Sequence, residues 1–138
     1  MFLADTNVIS ETRREERANE GVRAFFEGAE RRNQRILLSV VTVGELRRGV
    51  DSLRYKGDMR QAENVEAWLK GVLHAYDKKI VPVNRAIAEV WGRLRARHPE
   101  PAVVRLIAAT ALAHGLTVVT RNVRDFETIG VKMLNPFD

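Results

Sequence analysis

Three carboxylates of the chain each follow a short apolar run. Asp5 comes directly after the first run, Glu45 lies just beyond the second, and Asp125 lies a few residues beyond the last. In open parallel sheets, ligands bind at the carboxyl ends of the strands, so these three side chains should approach one edge. A cluster of oxygen ligands, with neither cysteine nor a histidine pair beside it, suits a hard cation such as Mg²⁺ or Mn²⁺. The spacing therefore favours a divalent-metal site.

Each acid also has a purely structural interpretation. Asp5 could cap the helix that follows it, Glu45 could be the return partner of Thr42 in a capping box, and Asp125 could fix a local turn. Taken singly, the structural interpretation is favoured, because bonding to nearby backbone is the usual role of such side chains. Their expected convergence on one edge is what favours metal binding.

The apolar runs are expected to be strands, and they occupy residues 1–4, 36–41, 80–83 and 116–119. Stretches with helical periodicity lie between them, at residues 8–14, 20–32, 43–53, 59–76, 85–95 and 102–114. Pro101 can sit in the first turn of the last helix, and Gly115 follows it as a stop. This alternation predicts an α/β domain around a mainly parallel sheet, to which residues 131–134 could add a short edge strand.

Composition excludes several kinds of site. The chain of 138 residues has no cysteine, so it forms no disulfide, no thiolate zinc site and no cysteine nucleophile.

Its length suits one domain spanning residues 1–138. The net charge of +5 comes mainly from arginine and favours a polyanionic partner, although 18 interspersed acids make this a weak signal. No signal peptide or long apolar stretch is recognisable, so a cytoplasmic location without membrane association is expected.

Three motifs together resemble the PIN-domain family, especially its VapC and FitB-like toxins. They are FLADTNVIS at residues 2–10, SVVTVGELRRG at residues 39–49 and LIAATALAHGLTVVTRNVRDF at residues 106–126. The resemblance spans nearly the whole chain in the right order. It implies a PIN-like domain with a sheet of four or five strands flanked by helices. It also implies a Mg²⁺- or Mn²⁺-dependent endoribonuclease toxin that is held inactive by a VapB-like antitoxin and usually forms a homodimer.

The resemblance assigns the acidic positions of such a site one by one. Asp5 matches the first acid and Glu45 the second. Members of the family place the fourth acid at the position of either Asn122 or Asp125, and Asp125 is preferred here because it is still an acid. Similar toxins carry the third acid, an aspartate, two residues before the LIAAT run, where this chain has Val104.

Val104 has a structural interpretation as well, because it continues an apolar stripe with Ile107, Ala108 and Ala111 at helical spacing. A valine cannot coordinate an ion, however, and if the helix begins at the carboxyl edge its first turn should face the metal. Losing one carboxylate ligand should lower metal affinity by at least the roughly 10- to 100-fold typical of outer-shell losses. We therefore expect weak metal binding and slow or absent cleavage. The alternative is an inactive PIN module that binds antitoxin or RNA without cutting.

The same comparison suggests supporting residues around the three acids, which we expect to act as catalytic and metal-binding groups. Thr6 and Thr120 could supply hydroxyl contacts, and Asn122 could supply a neutral oxygen. Arginines close to the acids in sequence could grip flanking phosphates of an RNA substrate; they are Arg47, Arg48, Arg105, Arg121 and Arg124.

Overall fold

The computed structural model describes residues 1–138 and has a five-stranded parallel sheet at its centre, in the order β3-β2-β1-β4-β5. The strands are β1 Phe2–Ala4, β2 Ile36–Ser39, β3 Ile80–Val81, β4 Thr117–Val119 and β5 Met133–Leu134. The predicted α/β class with a parallel sheet is confirmed. The optional edge strand exists as β5, which pairs with β4.

Seven α-helices flank the sheet. They are α1 Thr6–Thr12, α2 Glu20–Arg31, α3 Val40–Tyr55, α4 Met59–Ala75, α5 Arg85–Arg97, α6 Ala102–His114 and α7 Val123–Phe126, and a short 3₁₀ helix lies at Glu15–Arg17. All six predicted helices are present, and the bounds of the last one were predicted without error. The 3₁₀ helix and α7 were not predicted, because neither is long enough to show a helical period.

The start of α3 differs from the prediction. The helix begins at Val40, and Ser39 caps it by accepting a hydrogen bond on Oγ from the backbone N of Val41 at 3.1 Å. The predicted strand at 36–41 therefore ends two residues early, and the proposed capping box of Thr42 and Glu45 is wrong. β-branched residues continue across this junction and hide the boundary from an assignment based on periodicity.

The ends of α6 define how it meets the sheet. Pro101 is the N-cap residue rather than a first-turn residue, and Gly115 closes the helix with a left-handed φ of 65°. Gly115 is thus confirmed as the stop, because a residue without Cβ adopts this conformation at little cost. α6 runs directly into β4, so its first turn lies at the carboxyl edge of the parallel sheet.

The two faces of the sheet carry separate apolar cores. Leu3 and Leu37 pack into one core beside α6 and α7, whereas Ala4 and Leu38 pack into the other beside α1 to α4. Successive strand residues point to opposite faces, so β1 and β2 are buried on both sides. This arrangement fixes the carboxyl ends of β1 and β2, where the acids lie. None of the helices is both long and apolar enough to cross a membrane.

Candidate metal and nucleic-acid site

The carboxyl edge of the sheet opens into a cavity of about 480 Å³, here called the carboxylate pocket. Asp5 follows β1, Glu45 projects from α3, and Asp125 lies in α7. The residues that line the pocket are Asp5, Thr6, Asn7, Glu45, Pro101, Val103, Val104, Ile107, Asn122 and Asp125. The three acids singled out from the sequence therefore share one concave surface, as parallel topology requires.

Asp5 is buried, with 9% of its surface exposed, and its carboxylate accepts three hydrogen bonds. Oδ1 accepts from the backbone N of Thr6 at 2.9 Å, and Oδ2 accepts from Thr120 Oγ1 at 2.9 Å and from Asn7 Nδ2 at 3.3 Å. The first bond makes Asp5 the N-cap of α1, so the expected structural role is present. A carboxylate has about four acceptor positions, which leaves capacity for a further ligand in the pocket.

The pKa of Asp5 lies above its ordinary value of 3.8. Burial is the main cause, and the negative charge of Glu45 acts in the same direction, whereas the hydrogen bonds from Thr120, Thr6 and Asn7 oppose the rise. Desolvation therefore outweighs three stabilising donors. A carboxylate in this condition gains from a nearby positive charge, because that charge favours its ionised form.

Glu45 reaches the pocket from the second turn of α3. Its Oε1 accepts a hydrogen bond of 2.6 Å from Thr6 Oγ1, and the Thr6 hydroxyl also lies 3.5 Å from Thr42 Oγ1. Thr42 is buried in α3 and does not cap it. α3 begins at Val40, so Glu45 lies on the second turn of the helix and its carboxylate enters the pocket from there.

Asn7 is a contributor that the sequence reasoning missed. Its Nδ2 contacts Asp5 Oδ2 and, at 3.3 Å, Thr120 Oγ1, while its Oδ1 accepts from the backbone N of Arg121 at 3.0 Å. The hydroxyl of Thr120 also accepts from the backbone N of Asn122 at 3.0 Å. One amide thus ties the first turn of α1 to the loop after β4. Its signal was a polar residue in the first helical turn after a strand, at the same edge as Asp5.

Val104 lies in this pocket on its apolar side. It is half-buried in the first turn of α6, which contains no acidic residue, and Pro101, Val103 and Ile107 form the same wall. No three side chains of Asp, Glu, His or Cys are grouped closely enough to hold one metal ion. The polar lining offers carboxylate, amide and hydroxyl oxygens, which are the donors that Mg²⁺ and Mn²⁺ prefer. Too few carboxylates, however, lie close enough together to hold one ion by themselves.

Two of the five arginines expected to bind phosphate lie at the rim of the carboxylate pocket. Arg121 and Arg124 line a neighbouring concavity together with Asn122 and Asp125. The guanidinium of Arg121 also stacks over the ring of Phe137, 4.6 Å from its centroid. Both side chains are exposed and free to meet an anion near the acids.

The other arginines are placed differently. Arg47 is paired with Glu66 by hydrogen bonds of 2.6 and 2.8 Å, because a residue two positions after Glu45 faces another side of the helix. Arg105 is buried, and two of its nitrogens donate to backbone carbonyls. Neither side chain lines the carboxylate pocket, so both lie elsewhere than expected: Arg47 is held by Glu66, whereas Arg105 lines a separate concavity beside α6. Arg48 is exposed and follows Glu45 by three residues, on the same side of α3.

Two known proteins are similar to this chain in sequence over nearly its whole length. Toxin FitB of Neisseria gonorrhoeae is 34% identical over 142 residues, covering 99% of this chain and 99% of FitB. The VapC ribonuclease Y4jK of Sinorhizobium fredii is 32% identical over 144 residues, covering 100% of this chain and 99% of that protein.

Solved structures of FitB-containing complexes are similar to this chain in fold as well. FitAcB from Neisseria gonorrhoeae matches with a TM-score of 0.83 at 33% identity, covering 99% of this chain and 98% of that one. FitAB bound to an IR36 DNA fragment matches with a TM-score of 0.78 at 32% identity, covering 100% of this chain and 96% of that one. The family model of the PIN domain matches residues 2–132. The chain therefore belongs to the PIN domain family.

Proposed function

We propose that this protein is the toxin of a toxin–antitoxin pair and that its carboxylate pocket is the site of a divalent-metal-dependent endoribonuclease, weakened by Val104. The observation that carries the proposal is the convergence of Asp5, Glu45 and Asp125 on one pocket. The ribonuclease Y4jK and toxin FitB, to which the chain is similar, support the substrate class and the toxin role.

The residues of the pocket have separate tasks in this proposal. Asp5 and Glu45 would hold Mg²⁺ or Mn²⁺, and Asp125 or the Asn122 amide oxygen would add a ligand or orient water. When bound there, the ion would supply an activated water and would stabilise the charge that develops on the phosphodiester oxygens. Thr6 holds one oxygen of Glu45 in place, and Thr120 does the same for Asp5. Pre-positioned ligands matter because oxygen sites for Mg²⁺ tolerate little distortion.

Val104 limits this chemistry. It occupies the pocket wall where a further carboxylate would complete the set, and a methyl-bearing side chain offers no lone pair to a cation. Mg²⁺ retains several waters and can be held by one or two carboxylates, so weak binding remains feasible. The outcome is a site with low metal affinity and slow cleavage. The same missing carboxylate supports a second candidate, an inactive module that binds an antitoxin or RNA without cutting it.

The partners follow from the same family relationship. The similar structures include FitAcB and FitAB with DNA, which supports a small VapB-like antitoxin as the partner of this chain. A homodimer and a cytoplasmic location belong to the same proposal.

Cleavage of a panel of structured RNAs, with Mg²⁺ or Mn²⁺, tests the proposal. The original chain is compared with Val104→Asp, and Val103→Asp serves as the matched control, because Val103 lines the same pocket one position earlier on α6. We expect cleavage to rise at least about 10-fold in Val104→Asp, following the typical effect of a metal-shell residue. Adding Asp5→Asn to that variant should abolish the activity, which excludes a contaminating nuclease.

Each other outcome has a definite meaning. Cleavage in neither chain refutes the nuclease proposal and leaves the binding module. Full cleavage by the original chain refutes the assignment of Val104 as the weak point. An equal gain in Val103→Asp shows that any added acid suffices, which also contradicts the assignment.

A further inference from the structure

A second concave site lies beside α6, between the end of α5 and the segment after α7. It has a volume of about 260 Å³ and is here called the arginine pocket. Its lining residues are Arg93, Leu94, Arg97, His98, Arg105, Thr128 and Ile129. Three guanidinium groups line it and no acidic side chain does. A concavity of this charge attracts anions, because low-dielectric walls strengthen the local field.

Arg105 is the buried member of the arginine pocket, with only 5% of its surface exposed. Its Nε donates to the backbone O of His98 at 3.1 Å, and its Nη1 donates to the backbone O of Asp125 at 3.0 Å. Its Nη2 makes no hydrogen bond within the protein and is not fully buried, and the side chain lines the arginine pocket. A rigid, nearly buried guanidinium without an acidic partner is thus available to the pocket.

Arg93 and Arg97 are the exposed members, one turn apart on α5. The other two arginines of the same helix have acidic neighbours, Arg85 with Glu89 at 3.3 Å and Arg95 with a glutamate of the following loop at 3.5 Å. Neither Arg93 nor Arg97 forms an ion pair. Glu89 lies one turn before Arg93 but is paired with Arg85. Like charges at this spacing repel each other, and an anion held between them would relieve the repulsion.

Residues of α6 and α7 place the arginine pocket next to the carboxylate pocket. Consecutive residues of α6 line the two sites, Val104 the first and Arg105 the second. Arg105 also holds the backbone of Asp125, whose side chain lines the carboxylate pocket. The volume of the arginine pocket lies below the roughly 300 Å³ at which pockets for larger ligands begin, so it suits one small anionic group.

We infer that the arginine pocket binds a backbone phosphate of the RNA strand whose scissile bond lies in the carboxylate pocket. The inference rests on the proposed function and extends it by naming a binding subsite away from the metal. Guanidinium groups suit this ligand because their donors match two phosphate oxygens at once. Binding of this phosphate positions the strand and carries no base preference.

The test measures binding of a short, labelled single-stranded RNA in EDTA, so that no metal is present and no cleavage occurs. We expect Arg93→Ala/Arg97→Ala to weaken binding roughly 10-fold, as for the removal of a charge-assisted hydrogen bond. The plot of log affinity against log salt should become shallower by about 0.7 for each phosphate that the variant no longer neutralises. The variant should fold normally, because the substitutions remove a repulsion, and its melting temperature checks this.

Arg31→Ala/Arg32→Ala is the matched control, since it removes the same charge where α2 ends, at the amino edge of the sheet before β2. Equal weakening in both variants, or none in either, overturns the inference. A titration with inorganic phosphate gives the third arm: saturable phosphate binding that disappears in Arg93→Ala/Arg97→Ala, with RNA affinity unchanged, shows a free-anion site and also overturns it. Failure of Val104→Asp to cut RNA leaves this binding result untouched, so the two proposals fail separately.

Discussion

The substitution Val104→Asp should destabilise the folded protein in the absence of metal and stabilise it, relative to the original chain, when Mn²⁺ is bound. Without metal, the change removes a half-buried valine from the apolar core beside α6, which costs about 1 kcal/mol, half the value for a fully buried side chain. Repulsion from buried Asp5 adds to the cost, while an acid in the first turn of α6 recovers about 0.3–1 kcal/mol from the helix dipole. We expect a net loss of about 1 kcal/mol, which lowers the melting temperature by about 3 °C for a chain of this size.

Saturating Mn²⁺ should more than restore this loss. If the added carboxylate tightens binding by about 10- to 100-fold, Mn²⁺ stabilises the variant by about 1.4–2.7 kcal/mol more than it stabilises the original chain. That difference corresponds to about 4–8 °C, so the order of the two melting temperatures should invert. Calorimetric melting in EDTA and in a MnCl₂ series measures both quantities.

Val104→Asn is the matched control for this experiment. Asparagine has nearly the same shape as aspartate but no charge, so it should show the loss in EDTA and only the small Mn²⁺ response of the original chain. An equal Mn²⁺ response in Val104→Asp and Val104→Asn would refute the reasoning that a carboxylate is what the pocket lacks. A large response in the unaltered chain would refute it too.

Three further predictions concern the groups around the pocket and on the α3–α4 pair. Carbon-detected NMR should place the pKa of Asp5 above 3.8, and Mg²⁺ should lower it by favouring the carboxylate. Because the folded pKa is raised, the metal-free contribution of Asp5 to stability declines as pH rises through the interval from 3.8 to that pKa. Thr120→Val removes a donor from buried Asp5, so urea denaturation should show a loss of about 1–3 kcal/mol. The guanidiniums of Arg47 and Arg54 lower the pKa of Glu66 from 4.5 to about 2, so Glu66→Gln should reduce the urea midpoint above pH 4.5, with the difference shrinking as pH falls towards 2.

The fold was predictable where local signals agreed with the final packing. The helix 102–114 has an apolar stripe, a proline before it and a glycine after it, and all of these are local. The start of α3 was not predictable in this way, because Val40 and Val41 favour a strand by propensity, whereas the structure has them in the first turn of a helix capped by Ser39. The hydroxyl cap of Ser39 stabilises the helical start, whereas the apolar pattern alone allows either structure.

The site was predictable in its position but not in its hydrogen bonding. The rule for parallel sheets was enough to bring Asp5, Glu45 and Asp125 to one edge. It could not show that Asn7 links the first turn of α1 to the loop after β4, because those hydrogen bonds join residues far apart in sequence. Nor could closeness in sequence show that Arg47 turns away from the acids, since direction around a helix depends on the turn and not on distance along the chain.

The central position of β1 has a consequence for synthesis of the protein. Its partner β4 and the donor Thr120 come more than 110 residues later, and the bond from Thr120 to Asp5 spans 115 positions. A growing chain therefore carries Asp5 on an unpaired strand edge through most of translation, because domains emerge from the amino end first. The pocket forms only in chains that extend past residue 125. Stalled translation or early proteolysis thus yields fragments that lack the carboxylate pocket altogether.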